Sequence, residues 1–302
     1  GLARAGGAGG AGACTRERGG GPVIAAEFSK QLRRWRTLIL IGVCVVTALL
    51  VAVLMGQNAH AHPAAGGPDG ISISMTSSGL VLGIVALFFA SHLLTPITFL
   101  VYYGDPMASE SKWGSLRYLL VRPVSRSKVL SAKVIVSTVL ALGSLLVIPV
   151  VASLVGIVYF GLHPVVAAHF PGTASLLSAS PVIPVLGTLG RFLLATGYVA
   201  LDSAALAGVA VLLAVLTENV LAAVASAAGL YVFSAILGAL PGNFIRHIAP
   251  VLPTHYFDAW LNLFQPGTSL SGMTHGVITQ LSWFVLTLGA AYLVFNRKDV
   301  KC

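Results

Sequence analysis

The chain has 302 residues, 56% of them hydrophobic and only 9% charged, with a net charge of +9. Soluble domains carry roughly a quarter charged residues, so this composition excludes a soluble globular domain and indicates a multi-pass membrane protein. The positive balance does not signal nucleic acid, because the basic residues lie in gaps between apolar runs rather than on one polar face.

In chain order, residues 1–26 are Gly/Ala-rich without periodicity and are expected to be disordered. Residues 27–302 read as one all-α transmembrane domain. Its first part, 27–36, is basic and amphipathic: Phe28, Leu32 and Trp35 share one side, with Lys30, Arg33, Arg34 and Arg36 elsewhere. That pattern suits a helix lying on the cytoplasmic membrane surface. A helix crossing about 30 Å of hydrocarbon needs about 20 mostly apolar residues. Six such spans are expected near 37–55, 79–103, 134–161, 192–217, 219–240 and 277–295, with Asp202 the one Asp, Glu, Lys or Arg inside them. Pro96 and Pro149 should kink the second and third. Ala59-His60-Ala61 after the first apolar run imitates a signal-peptide cleavage site, but the preceding polar region is too long, and the run is read as an uncleaved span.

Of the eighteen Lys and Arg, only Arg191 and Arg246 fall in the first, third and fifth connections between spans; the other sixteen lie on the opposite side. This places both termini and the 104–133 loop in the cytoplasm of a plasma or inner membrane. The loops on the other side, 57–78, 162–191 and 241–276, are rich in Gly, Pro, Ser and His. The last contains an apolar, aromatic piece, 255–264, expected as a short helix dipping into the outer leaflet. A very short connection centred on Glu218 joins the fourth and fifth spans. Cys14, Cys44 and Cys302 are too few and too scattered for a disulfide framework or a metal knuckle.

Between Leu38 and Asn296 there are fourteen charged residues, and eight of them fall between Asp105 and Lys133. Asp105-Pro106 is a helix-start signal, and Pro123 should end that helix at Arg122. At 100° per residue, Trp113, Leu116 and Leu120 share one stripe, with Glu110, Gly114 and Arg117 on the next. Composition alone favours a solvated connector. The order of residues is more specific: Glu110, Gly114-Ser115-Leu116, Leu119-Leu120, Pro123-Val124-Ser125-Arg126, then Lys133.

That order resembles the cytoplasmic loop of the type-2 ABC transporter permease family. The family pattern has an acid four residues before Gly, Gly-Thr-Leu, a Leu pair, Pro-Val-Ser-Arg nine after the Gly, and Lys ten after the Pro. The amphipathic segment, the six-span layout and the ending Phe295-Asn296-Arg297-Lys298-Asp299 extend the likeness over most of the chain. Lys112, Ser115 and Ala132 depart from the pattern, Lys112 standing where many members have a second acid. The resemblance implies an exporter permease whose loop is a coupling helix resting in a groove of a separate ATPase subunit. Glu110, Lys112, Trp113, Gly114, Arg117, Arg122, Pro123 and Arg126 would form that contact. It further implies two ATPase copies holding ATP and Mg, and a second permease, identical or homologous, beside this one in the bilayer. No Gly-Lys pair occurs in the sequence, so a P-loop is expected on the ATPase chain and no cofactor or catalytic residue on this one.

Asp202 is a candidate translocation-pathway residue, because an ionisable group in a span costs several kcal/mol unless paired or hydrated. The bland alternative is an internal bond to Tyr198, Ser203 or His92. His92, near Thr95 and Thr98, reads as a helix–helix hydrogen-bonding residue or a substrate contact. His60, His62, His163 and His169 lack the convergence a metal site needs. Ala204-x-x-x-Gly208 and Ala223-x-x-x-Ala227 would allow close helix packing. Two rival functions remain: a proton- or ion-coupled secondary transporter using Asp202, and a membrane enzyme or scaffold.

Overall fold

Local helix geometry follows the prolines of this chain closely. The structure, a computed structural model, describes residues 21–61, 78–112, 126–166, 182–264 and 270–297. The helices are α1 (Gly21–Leu32), α2 (Trp35–Ala61), α3 (Gly79–His92), α4 (Leu94–Lys112) and α5 (Arg126–Phe160). There follow α6 (Val185–Thr217), α7 (Val220–Ala239), the short α8 (Asn243–Ile248) and α9 (Ser271–Arg297). A two-residue antiparallel ladder, β1 (Val165–Val166) with β2 (Val182–Ile183), closes the gap between α5 and α6. The protein is thus helical, multi-pass and membrane-embedded. Five helices are long and apolar enough to cross a bilayer, and α3 with α4 pass the same test together as a pair bent by 56°.

The bend has a covalent cause. Pro96 has no N–H to bond the carbonyl of His92 four residues back, and the helix breaks at Leu93 (φ −134°, ψ −55°). The freed His92 carbonyl accepts a hydrogen bond from the Tyr231 hydroxyl on α7. Pro106 raises the same problem further along, and Ser137 on α5 answers it by donating to the Tyr102 carbonyl at 2.7 Å. With that carbonyl satisfied, α4 runs through Pro106 to Lys112. The expected helix start at Asp105-Pro106 is therefore corrected: Asp105 lies inside α4 and caps nothing.

The core is built around α6. Within its most apolar window 72% of residues are buried, against 28% for α2, 22% for α7 and 17% for α9. Small residues make the closest approaches. A Cβ on Gly208 would meet Thr287 and Phe284 of α9, and Ala223 and Ala227 of α7 are buried. Both small-residue pairs thus serve packing within this chain. Thr217 ends α6, Glu218 takes a left-handed conformation (φ 54°), and Asn219 caps α7 by accepting from Leu221 N at 3.0 Å. That is the short connection expected.

Two elements sit differently from expectation. α1 begins at Gly21, ahead of the amphipathic run, and its Phe28 and Leu32 pack on the main core cluster instead of facing lipid. The aromatic piece 255–264 is packed into the protein core. It ends in a 3-10 turn, Ala259–Phe264, whose Trp260 and Phe264 are buried in the same core. Helix side chains hold carbonyls of the 251–264 stretch: Tyr198 Oη donates to Tyr256 at 3.0 Å, Trp283 Nε1 to Val251 at 2.8 Å and Arg191 to Leu263 at 2.8 Å. Gln280 donates to Pro253. A backbone so satisfied is more stable inside protein than against lipid.

Candidate functional site

The segment singled out by its charge lies between α4 and α5. Glu110 and Lys112 occupy the last turn of α4, and Arg126 opens α5. Trp113, Gly114, Arg117, Arg122 and Pro123 lie outside the described residues, together with the rest of 113–125.

The roots of that segment are fastened to α1, the turn after it and the first turn of α2. Asp105, 6% exposed, receives Arg34 Nη1 on Oδ2 at 2.7 Å and Arg36 Nη1 on Oδ1. Lys133, 4% exposed, donates to the Pro106 carbonyl at 3.1 Å and lies 3.7 Å from Glu27 Oε1. Gln31 Nε2 donates to the same Glu27 oxygen at 3.1 Å. Thr37 Oγ1 then ties α2 to the Gln31 carbonyl at 2.7 Å. Two carboxylates and three cations therefore clamp α1 to α5, and the α1–α2 junction to α4. Buried charges need such pairing, because a lone one carries a desolvation penalty of several kcal/mol. Lys133 is thereby explained as a structural tie rather than a free contact.

The other polar cluster surrounds the helix break. His92 Nε2 is 3.1 Å from Asp258 Oδ1, and its Nδ1 lies 2.9 Å from the Phe88 carbonyl. The expected helix–helix role of His92 is corrected in part: its imidazole meets the 243–264 connection, and only its carbonyl meets another helix. Asp202 sits near the midpoint of α6, 2% exposed, and its Oδ1 has no hydrogen-bond partner among the described residues. The internal bond to Tyr198, Ser203 or His92 is absent; Tyr198 spends its hydroxyl on Tyr256. Asp258 acts electrostatically on both Asp202 and Tyr198, so the two candidates His92 and Asp202 share a neighbour without touching. Nearby, burial pushes His255, in the same connection as Asp258, below the usual imidazole value. His163 Nδ1 lies 3.0 Å from the Phe160 carbonyl. Among the described residues no three His, Cys, Asp or Glu converge as metal ligands.

With this geometry in place, comparison with known proteins adds a family. Residues 40–301 match the family described as "Protein of unknown function (DUF2705)". The chain belongs to the DUF2705 family. It is also similar to the uncharacterized protein YhcI of Bacillus subtilis (strain 168), with 26% identity over 222 residues. That alignment takes in 69% of this chain and 65% of YhcI, just under two thirds of the relative's length. The DUF2705 match includes Asp105, Lys133, His92, Asp202 and Asp258, and it starts after Glu27, Arg34 and Arg36.

Sequence reasoning missed Arg34, Arg36 and Glu27 as partners of Asp105 and Lys133, and Asp258 as the partner of His92. A usable signal existed: Asp105 and Lys133 each abut an apolar run, where a charge must find a counter-charge.

Proposed function

We propose that this DUF2705 protein is the membrane-spanning permease subunit of an ATP-driven exporter in the cell membrane. In this reading α3 and α4 form one bent span of six, both termini are cytoplasmic, and 113–125 receives a separate ATPase subunit. The observation that carries it is the clamp: Asp105 ties one end of that segment to the α1–α2 junction, and Lys133 ties the other end to α1. A push on 113–125 would reach α4 and α5 together, and through α4 the central helix α6. A loose connector needs no such bracing. The residue order from Glu110 to Lys133 supports the same reading.

Two copies of the ATPase, holding ATP and Mg, would act on two permease chains. The test is copurification in mild detergent with a P-loop ATPase encoded in the same cell, followed by ATPase assays in proteoliposomes. Glu110→Ala and Gly114→Trp are expected to abolish stimulation of the ATPase while leaving membrane insertion intact. Normal stimulation in both variants overturns the assignment of 113–125.

A second reading has one observation in its favour. The unpartnered Asp202 carboxyl in the core of the bundle is where an ion- or proton-coupled carrier would hold its ion. Asp202→Asn separates the two: ATP-dependent transport survives it in the permease reading, whereas a coupled carrier loses transport.

A further inference from the structure

The end of α3 is closed into a ring by both halves of one residue. The His92 carbonyl, which Pro96 cannot bond, accepts from the Tyr231 hydroxyl of α7. The Tyr231 ring stacks on Phe257, with centroids 5.8 Å apart and planes 28° from parallel. The next residue, Asp258, returns to the His92 imidazole, its Oδ1 lying 3.1 Å from Nε2. The ring therefore joins α3, α7 and the 243–264 connection. Its backbone, hydroxyl and stacking links hold at any pH, and only the imidazole link can depend on a proton.

That link makes a specific demand. Nε2 faces a carboxylate oxygen, and Nδ1 lies 2.9 Å from the Phe88 carbonyl. Both partners are acceptors, whereas a neutral imidazole carries one N–H and one lone pair. In either neutral tautomer one ring nitrogen turns its lone pair on an oxygen. Ser91 Oγ, 3.3 Å from Nδ1, gives no relief, because its one hydrogen goes to the same Phe88 carbonyl at 2.8 Å. One added proton satisfies both contacts: Nδ1–H donates to Phe88 and Nε2–H to Asp258. The two side chains are 45% and 59% exposed, so a proton reaches them without opening the core. No Lys or Arg pairs with Asp258 among the described residues, so no fixed cation takes the proton's place. The other groups on which Asp258 acts electrostatically are Asp202 and Tyr198 of α6 and Tyr231 of α7, and none of these carries positive charge. His255 lies three residues away in the connection, with its ring edge-on to Tyr256 at 4.7 Å.

We propose that the His92–Asp258 pair is a proton-binding site that latches the bent pair α3–α4 to the 243–264 connection. With the proton bound, the ring is closed and the end of α3 is held through its carbonyl and its side chain together. With the proton lost, one imidazole contact opens and the carbonyl alone holds the break. The latch is fully made at acidic pH and is lost as the pH rises through the imidazole titration. It acts where α3 and α4 meet, so protons bias the angle between them. No residue of 104–133 takes part, and the site stands independently of the ATPase assignment.

The test is hydrogen–deuterium exchange of the full chain in mild detergent, corrected for the intrinsic pH dependence of exchange. It runs from about pH 5.5 to about 7.5, one unit either side of the ordinary imidazole value of about 6.5. The reporters are the amides of Phe257, Ala259 and Leu261, which donate to the carbonyls of Thr254, Tyr256 and Asp258. Their protection is expected to fall about two- to fivefold from the acidic to the basic end, the worth of one partly exposed ion pair. His92→Gln removes the titrating group and should show one protection level throughout, equal to that of the unaltered chain at the basic end. Its thermal midpoint should match the unaltered chain there as well. Asp258→Asn should likewise lose the response. His255→Gln, which removes the rival titrating group of the same connection, should keep it. A response that survives His92→Gln, one that disappears in His255→Gln, or none in the unaltered chain would each overturn the proposal.

Discussion

Asp105→Ala is expected to lower the unfolding free energy of the purified chain by about 1–3 kcal/mol, below the 3–5 kcal/mol of a fully buried pair. The side chain is 9% exposed and receives two guanidinium groups. Its loss takes one carboxylate from Arg34, which is only 25% exposed. Arg36 can swing into water at little cost. The single-residue effects should therefore fall in the order Asp105→Ala, then Arg34→Gln, then Arg36→Gln. Thermal unfolding followed by tryptophan fluorescence in mild detergent checks the order. Identical midpoints for Asp105→Ala and the unaltered chain would show the ion pairs to be solvent-screened contacts with no clamping role.

The same substitution separates clamping from general stability. Asp105→Asn keeps an acceptor for one guanidinium and removes the charge. It should recover part of the lost stability, while the α1–α2 junction is freed from α4 enough to be cleaved sooner by trypsin at Arg33 or Arg34. Trypsin sensitivity confined to that junction is the signature expected of a clamp. Uniformly faster cleavage through the chain would instead mean that Asp105 supports the whole bundle.

The spans were legible in the sequence because length and freedom from charge are local properties. Their ends were less so: α5 starts at Arg126 and α6 at Val185, each well before the apolar run. Hydropathy marks where lipid begins, whereas a helix continues as long as its backbone stays bonded. Pro96 announced a bend, but the hydroxyl that accepts the consequence, Tyr231, lies 139 residues away from His92. Asp105-Pro106 misled for a related reason. The signal for a helix start is real in isolation, and Ser137 on another helix cancels it by bonding the Tyr102 carbonyl. The clamp was invisible because Arg34 and Arg36 stand 71 and 69 residues from Asp105, and no spacing rule joins them. An aromatic piece such as 255–264 reads as interfacial until the α6 donors that hold its carbonyls, Tyr198 and Arg191, are known.

Gly156→Leu is expected to have a large effect on assembly of the bundle. On α5, Gly156 meets Gly79 at the start of α3, backbone against backbone: a Cβ on Gly156 would fall on the Gly79 carbonyl, with its carbon at 3.0 Å and Cα at 3.1 Å. A side chain could rotate away from such a clash, but a helix start cannot. Gly79 is held by its N–H to the Gly161 carbonyl at 3.0 Å, and Ser78 caps the same end at Leu80 N. The next turn is also tight, since a Cβ on Gly83 would meet Ser153. Overpacking a well-filled contact costs about 1–3 kcal/mol, occasionally more, and a backbone obstacle places this one at the upper end. Gly156→Ala should cost less than Gly156→Leu and still be measurable. Gly143, on the same helix, is the internal control, because nothing lies within 4 Å of its added Cβ. There, Leu should be neutral or stabilising by up to about 1 kcal/mol through helix propensity. Yield of monodisperse protein and the thermal midpoint measure all three variants. Tolerance of Gly156→Leu equal to that of Gly143→Leu would show that α3 and α5 do not cross at Gly79 and Gly156. In that case the bend at Leu93, which sets the angle between α3 and α4, could not be positioned by this contact.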